Sequence, residues 1–244
     1  MILSTIGHCS QNLISSLGYL LKGQISLKNT LAQAAIIGFD SAPIAIIISC
    51  VSGSVIALQV AQQFIQNGAD AYIGGLIAVT IIREIAPLFA SLAIGARAGT
   101  AIASEIANMK VTEQVDALKV LRVDPVYYLV LPRVIAAALM IPLVTILAMF
   151  VGIMGGMIVA KVVVNLHFNR FITSVWLYAD IYDIQTSLVK AMVFGILIAI
   201  TCSTIGLLTE GGAKEVGKAT TKAAIWTATT IIIADYFVTW AFYG

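Results

Sequence analysis

Two residues of opposite charge, Arg83 and Glu84, stand next to each other inside an apolar stretch of the chain that is long enough to cross a membrane. A charged side chain in hydrocarbon is unfavourable unless it faces a partner, the interior of a helix bundle or a wet cavity, so such charges mark candidate functional sites. Adjacent side chains on a helix point about 100° apart, and we therefore expect each of the two to have its own partner. The pair is either a functional site or a structural ion pair that locks this helix to a neighbour.

Three further residues interrupt the apolar stretches. Pro87 follows Arg83 by about one helical turn and loosens the helix, because proline lacks a backbone donor. Asp235 either pairs with Arg83 across the bundle or lies near the outer membrane surface. Gln59 has the groups to hydrogen-bond across helices or to line a polar strip of a cavity.

Residue patterns of known catalytic sites are missing from the sequence. It has two histidines, His8 and His167, and contains no HExxH, no GxSxG and no His, Cys, Asp or Glu group with metal-ligand spacing. It also lacks G-x-x-x-x-G-K-[ST], so we expect no catalytic residues, no metal and no cofactor in this chain. If the function of this chain is driven by nucleotide hydrolysis, another subunit must bind and hydrolyse the nucleotide.

The composition identifies lipid as the solvent of most of the chain. Of 244 residues, 60% are hydrophobic and 11% are charged, and the mean hydropathy is +0.99, whereas a soluble domain has about 25% charged residues. The net charge of +2 is too small to indicate a nucleic-acid surface. The sequence therefore predicts an all-α integral membrane protein that forms a single domain over residues 1–244.

A helix that crosses about 30 Å of hydrocarbon needs about 20 mostly apolar residues, and five stretches qualify. The predicted transmembrane helices are residues 41–66, 71–97, 134–160, 190–209 and 223–243. Apolar residues at helical spacing within residues 1–36 predict an N-terminal interfacial amphipathic helix, with a frayed tail as the alternative.

Loop charge predicts the orientation, because cytoplasmic loops retain Lys and Arg. Nine basic residues fall on the side of the N-terminus, namely Lys22, Lys28, Lys110, Lys119, Arg122, Arg133, Lys214, Lys218 and Lys222. The other side has Lys161, Arg170 and Lys190. We therefore expect a cytoplasmic N-terminus and a C-terminus on the outer side.

The loop between spans two and three, residues 104–124, is organised like a short helix. Thr112 can cap a helix whose first turn carries Glu113 and Asp116, and Asp124 followed by proline ends it. Its apolar stripe consists of Val115, Leu118 and Leu121. Such a helix is either a docking site for a partner protein or an interfacial helix that closes the loop.

Glycines at four-residue spacing predict close helix contacts. They occur as Gly95 with Gly99 in span two and as Gly152 with Gly156 in span three. The spacing fits packing within one chain and packing between two chains equally well.

The stretch from Arg83 to Arg133 resembles the signature of a known family. It reads REIAPLFASLAIGARAGTAIASEIANMKVTEQVDALKVLRVDPVYYLVLPR and contains R-E-x-x-P, G-x-R-x-G, V-T-E-Q-x-D-A-L and V-D-P-x-x-Y-L-x-x-P-R. This stretch is similar to the MlaE/YrbE-type permeases of bacterial Mce (Mla) phospholipid ABC transporters, to which a chloroplast lipid-importer permease is related. The similarity continues through the loop TEGGAKEVGKATTKA. Arg122 departs from the family, since many members have a small residue such as glycine there.

The resemblance implies a multi-pass protein of the bacterial inner membrane with a periplasmic C-terminus. It implies a homodimer that binds a cytoplasmic ABC ATPase, which carries ATP and Mg, with an Mce-domain lipid-binding protein on the outer face. It is also compatible with a STAS-like subunit that joins the ATPase. Phospholipid held between the protomers is the implied substrate, moved between the inner membrane and the Mce partner. For the lipid cavity and its gating, the resemblance implicates Arg83, Glu84, Gln59, Ile56 and Phe64. For ATPase coupling, it implicates Glu105, Glu113, Gln114, Asp116 and Leu118.

Three other functions remain open from the sequence. An ATP-independent secondary transporter or channel would use Arg83 and Glu84 as an intramembrane coupling pair, and an inverted repeat, which we do not find, would favour it. A membrane enzyme acting on lipid would need a nucleophile and a base. A structural scaffold for an ATPase would need neither.

Overall fold

A computed structural model describes the backbone of residues 2–23 and 25–244, and the side chains of residues 4–23 and 25–244. The described residues form eight helices and no strand. The helices are α1 (Ile2–Leu21), α2 (Leu27–Gln66), α3 (Asp70–Val111), α4 (Gln114–Val120), α5 (Val126–Val164), α6 (Phe168–Tyr178), α7 (Ile181–Leu207) and α8 (Ala213–Tyr243). Five of them, α2, α3, α5, α7 and α8, are long and apolar enough to cross a membrane. The predicted all-α integral membrane protein is confirmed.

Helices α2 and α3 are longer than one membrane crossing needs. They contain 40 and 42 residues, and at about 1.5 Å per residue each extends well beyond about 30 Å of hydrocarbon. Helix α2 contains a turn at Asp40 and Ser41, just before most of the expected span. Helix α3 continues past Arg97 to Val111, so the first part of the expected coupling segment is the end of this helix.

Helix α7 begins at Ile181, earlier than the expected start of the span at residue 190. Asp180 and Asp183 form a capping box that fixes this beginning. Lys190 therefore lies inside the helix, fully buried, and not in an outer loop as the sequence had indicated. The helix tolerates this charge because carboxylates on α3 and α8 face it.

The two ends of the bundle are distinguished by their short helices, and we call them the α4 end and the α6 end. Helix α1 lies at the α4 end, where the Tyr19 hydroxyl donates to Asp124 at 2.6 Å. The end of α8 lies at the α6 end, where Phe242 contacts Tyr182. With Lys190 inside the bundle, the α6 end retains Lys161 and Arg170 from the three basic residues assigned to that side.

The glycines predicted to mark close contacts lie against helices of the same chain. A side-chain carbon on Gly152 would be 3.1 Å from the Ser49 carbonyl oxygen of α2, and one on Gly156 would be 2.9 Å from Ile77 of α3. A side-chain carbon on Gly95 of α3 would be 2.9 Å from Thr227 of α8, and one on Gly99 would be 2.9 Å from Cys202 of α7. These distances leave too little room for a larger residue without movement of the neighbours.

Candidate functional site

Arg83 and Glu84 lie on a π-helical turn of α3, Ile81–Ile85, immediately before Pro87. In an α-helix the carbonyl of Arg83 would accept from the backbone N–H of residue 87, which proline lacks. Lys190 of α7 donates to this carbonyl at 3.0 Å instead. A residue that weakens α3 and a buried cation on α7 thus complement each other, and the helix stays intact without a complete backbone ladder.

Arg83 and Glu84 have separate partners, as the angle between adjacent side chains predicted. The Arg83 Nε donates to Asp183 Oδ1 of α7 at 2.7 Å, and its guanidinium lies 4.5 Å from the centre of the Tyr243 ring. The Tyr243 hydroxyl donates to the same Asp183 oxygen at 3.1 Å. Asp183 is 1% exposed, whereas 39% of the Arg83 side chain is exposed. The guanidinium is therefore anchored on one side and accessible on the other.

Lys190 joins Glu84 to Asp235 of α8. Its Nζ donates to Glu84 Oε1 at 2.8 Å and lies 3.2 Å from Asp235 Oδ1. The Asp235 contact has the distance of an ion pair, but Oδ1 makes no aligned hydrogen bond in the described part of the chain, so we regard it as the weaker contact. Thr239 also donates to Glu84, at 3.3 Å. Asp235 thus pairs with Lys190 and not with Arg83.

These five charged side chains form what we call the intramembrane network. Two cations, Arg83 and Lys190, face three carboxylates, Glu84, Asp183 and Asp235. The network joins α3, α7 and α8 near the α6 end, since Asp183 lies at the start of α7 and Tyr243 at the end of α8. Sequence reasoning missed Asp183 and Lys190 because Asp183 precedes the predicted span of residues 190–209 and Lys190 was placed at the outer boundary of that span. Their separation of seven residues, which repeats a helix face, was the available signal.

The exposed side of Arg83 borders an open groove of about 340 Å³ at the α6 end. The groove is lined by residues of α2, α3 and α6, namely Phe64, Tyr72, Gly75, Leu76, Val79, Arg83 and Tyr178. Its lining is mostly apolar, with the guanidinium as its charged group. Phe64, which the sequence had assigned to the cavity, lies here, while Ile56 packs against the core and Gln59 is exposed elsewhere on α2. A groove of this kind suits an apolar chain next to an anionic group.

The residues proposed for coupling surround α4, at the opposite end. Arg133 of α5 donates to Glu105 of α3 at 2.7 Å and to the Leu129 carbonyl at 2.7 Å. Asp116 accepts from Lys110 and Lys119, at 2.9 Å each, and these cations lower the pKa of its carboxyl group. The Lys110–Asp116 contact holds α4 against the end of α3, and the Arg133–Glu105 contact joins α3 to α5 beside it.

Helix α4 begins at Gln114 with Glu113 as its N-cap, one residue later than a cap at Thr112 predicts. The Thr112 hydroxyl instead donates to the Asn108 carbonyl and ends α3, while Glu113 adopts a left-handed conformation, with φ of 61°, between the two helices. The expectation of a Thr112 cap was wrong, because the Thr112 hydroxyl is hydrogen-bonded to a carbonyl of the preceding helix. Glu113 and Gln114 remain exposed.

The apolar stripe of α4 divides into a buried part and an exposed part. Val115 is buried and Leu118 packs against the core. Leu121, which follows α4, is 72% exposed, and Val120, which the sequence had not singled out, is 83% exposed. Helix α4 thus presents an apolar tip next to exposed polar side chains, as a docking surface requires.

The chain matches the model of the family described as Permease MlaE over residues 30–241. It belongs to this family. The MlaE-family permease is also 42% identical over 222 residues, 91% of its length and 84% of the relative, to a probable ABC transporter permease protein of Synechocystis sp.. It is 39% identical to a probable ABC transporter permease protein of Rickettsia typhi, covering 90% of the chain and 85% of the relative.

A plant protein is a further relative. The chain is 34% identical to the chloroplastic protein TRIGALACTOSYLDIACYLGLYCEROL 1 of Arabidopsis thaliana, over 92% of the chain and 64% of that protein. The family and the five membrane-crossing helices together make this chain the permease of an ABC transporter, which implies an ATPase partner.

Proposed function

We propose that this permease moves phospholipids between the bacterial inner membrane and an Mce-type partner in the cell envelope, driven by ATP hydrolysis in a separate subunit that carries ATP and Mg. The observation that carries this proposal is the apolar groove with the Arg83 guanidinium at its edge. A phospholipid has apolar acyl chains joined to an anionic phosphate, and the groove offers a matching surface for each. Since 39% of the Arg83 side chain is exposed, the guanidinium can contact a phosphate while it stays paired with Asp183.

The proposed unit is a homodimer, because one chain encloses too little volume. The groove is open and measures about 340 Å³, near the lower limit of about 300 Å³ for small-molecule pockets. The chain leaves apolar faces uncovered, since 11% of the α8 segment and 28% of the α2 segment are buried. A second copy on these faces would close the groove into a cavity.

Coupling to the ATPase is proposed to occur at α4. Its exposed apolar tip at Val120 and Leu121 would insert into the ATPase, with Glu113 and Gln114 as polar contacts. Asp116 and Leu118 hold α4 to the permease, and Glu105 joins α3 to α5 next to α4 through Arg133. A displacement of α4 would then pass along α3, which is one continuous helix from the α4 end to Arg83 and Glu84.

The α4 end is proposed to be cytoplasmic, which places the N-terminus inside and the C-terminus in the periplasm. The basic residues gathered at this end support the orientation. The α6 end would then receive the Mce-domain protein, and a STAS-like subunit would join the ATPase. Aromatic residues suited to an outer headgroup region, such as Trp176, Tyr182, Tyr236 and Trp240, are exposed at the α6 end.

The test measures lipid transfer and ATP hydrolysis by the permease and its ATPase in vesicles that contain a fluorescent phospholipid. We expect Arg83→Ala to lower lipid transfer about tenfold, the loss of one charge-assisted contact to phosphate, while assembly with the ATPase is retained. Arg170→Ala is the matched control, since Arg170 pairs with Asp70 on the exposed surface of the same end. Unchanged transfer by Arg83→Ala would contradict the lipid role.

A second variant tests α4. We expect Glu113→Lys combined with Asp116→Lys to uncouple ATP hydrolysis from lipid transfer, because the first change places a repulsive charge where α4 meets the ATPase and the second breaks the ion pair that holds α4 to α3. Lipid transfer that follows an ion gradient without ATP would instead support the secondary transporter.

A further inference from the structure

Helix α1 is attached to the bundle by polar contacts near its middle and near its end. The Asn12 amide donates to the Thr204 hydroxyl of α7 at 2.9 Å. The Tyr19 hydroxyl donates to Asp124 at 2.6 Å, and the Tyr19 ring lies 5.5 Å from the ring of Tyr127. These contacts involve side chains of fixed length, so they set how closely α1 approaches α5 and α7.

Between these contacts α1 does not close against the bundle. A cavity of about 190 Å³, which we call the α1 crevice, separates the apolar face of α1 from α5 and α7. It is lined by Leu13, Ser16, Leu17, Leu20, Leu131, Val134, Ile135, Ala138, Leu139 and Ile196. The surface that these residues present is apolar throughout, because the Ser16 hydroxyl oxygen is buried away from it.

The α1 crevice is unfavourable for a bound water molecule. A buried water molecule needs two to four polar partners, and the lining of the α1 crevice supplies none. The space is also open to the side, because Leu17 and Leu20 of α1 and Leu139 of α5 lie at its rim and are exposed, Leu139 by 61%. In a chain with five membrane-crossing helices, an exposed leucine in the middle of such a helix faces hydrocarbon. The α1 crevice is therefore continuous with the lipid-facing surface.

We propose that the α1 crevice is a binding site for one acyl chain of a membrane phospholipid, separate from the groove at Arg83. The acyl chain enters between Leu17 and Leu139 and ends against Ile196 on α7. The lipid belongs to the leaflet at the α4 end, because α1 is attached there through Asp124. It is held for longer than lipids that merely surround the protein, since helices α1, α5 and α7 contact it on three sides.

The experiment uses the permease in vesicles of phosphatidylethanolamine and phosphatidylglycerol that contain a phospholipid with a photoreactive group near the end of one acyl chain. After irradiation, peptide mass spectrometry locates the label. We expect label on Ile196, at the bottom of the α1 crevice, as well as on the lipid-facing Leu147 of α5. In Ala138→Phe, whose ring fills the crevice, we expect the label on Ile196 to be lost and the label on Leu147 to be unchanged.

The Leu147 label serves as an internal control for folding and membrane insertion in each variant. Leu20→Phe, at the rim, provides a second variant if Ala138→Phe fails that control, and we expect it to reduce the Ile196 label as well. Absence of label on Ile196 in the native chain would overturn the proposal, and it would indicate that α1 closes the gap or that a second copy of the chain occupies it. Equal Ile196 label in the native chain and a folded variant would also overturn it.

Neither result depends on what the permease transports. The measurement requires no ATPase and no lipid transfer, and it does not involve Arg83. Loss of lipid transfer in Arg83→Ala with normal labelling of Ile196 would support both proposals, and the opposite results would contradict both.

Discussion

The intramembrane network and the charged residues around α4 contain the same types of charged side chain, but the two groups differ in how deeply they are buried. In the network, Lys190 is fully buried and Asp183 is 1% exposed. Around α4, Asp116 bridges Lys110 and Lys119 at the surface, and Glu105 is 53% exposed although its partner Arg133 is buried. The distances between the nitrogen and oxygen atoms of the ion pairs are alike in the two regions, between 2.7 and 3.2 Å in the network and between 2.7 and 2.9 Å around α4.

The difference shows that burial, more than distance, decides what an ion pair contributes. An exposed pair contributes about 0–1 kcal/mol because water solvates both charges when it breaks. Removing one partner of a buried pair lowers the free energy of unfolding by about 3–5 kcal/mol, because the remaining charge stays buried and water does not solvate it. The network therefore fixes how α3, α7 and α8 pack, whereas the exposed contacts of Asp116 on α4 can break and re-form when a partner binds.

The largest effect is expected from Lys190→Met. This change leaves Glu84 and Asp235 without their shared cation and the Arg83 carbonyl without its donor, so we expect the free energy of unfolding to fall by about 3–5 kcal/mol. Thermal unfolding in detergent measures it. Lys218→Met, which removes an exposed pair with Glu215, is the matched control and is expected to change stability by less than about 1 kcal/mol.

A triple variant separates charge from packing at this position. Adding Glu84→Gln and Asp235→Asn to Lys190→Met removes the uncompensated carboxylates, so we expect it to recover part of the lost stability. Equal destabilisation by Lys190→Met and Lys218→Met would mean that burial does not distinguish the two regions.

A smaller effect is expected from Asp183→Asn. The variant removes the carboxylate that binds Arg83, but the guanidinium keeps access to solvent, so we expect a loss of about 1–3 kcal/mol. Asp70→Asn breaks a pair between the same residue types, Asp70 with Arg170, that is exposed at the same end. We expect it to cost less than about 1 kcal/mol, and a cost equal to that of Asp183→Asn in thermal unfolding would contradict the argument.

Arg122→Gly tests backbone strain in the segment after α4. Arg122 has φ of 58°, a left-handed conformation that disfavours residues with a side-chain carbon. Glycine adopts it without this penalty, so we expect a gain of about 0.5–1 kcal/mol in thermal unfolding. Lys119→Gly, inside α4 itself, is the control and is expected to destabilise, since glycine weakens a helix interior. A loss of stability in Arg122→Gly would argue against the left-handed conformation.

The smallest effect concerns pH and Asp116. Hydrogen bonds from Lys110 and Lys119 lower its pKa below the ordinary 3.8, so the ionised carboxylate stabilises the folded form. This contribution is complete above pH 3.8 and is lost as the pH falls through the lower pKa of the folded chain. We expect the protection of the α4 amides, which is the ratio of the intrinsic to the observed hydrogen-exchange rate at each pH, to fall over this acidic range, and Asp116→Asn to show the lower protection at every pH. An identical pH dependence in both forms would contradict the assignment.

Much of the fold follows from the sequence because a single property sets it. A run of about 20 apolar residues has no stable place except the membrane, and this property predicted the five crossing helices. Arg83 and Glu84 could be found in the same way, since a charge within such a run is conspicuous. The family could be read from the residues between Arg83 and Arg133.

The partners of these charges were decided by tertiary structure. Lys190 and Asp183 lie at the polar edge of an apolar run, where sequence alone does not separate a loop from the first turns of a buried helix. The capping box at Asp180 extends α7 over this region and brings both residues to α3 and α8, more than 40 positions away in the chain. Likewise, the hydroxyl of Thr112 can cap either neighbouring helix, and only the packing of α3 determined which one it serves. Local composition thus determined which segments enter the membrane, and contacts between distant segments determined how their charges are paired.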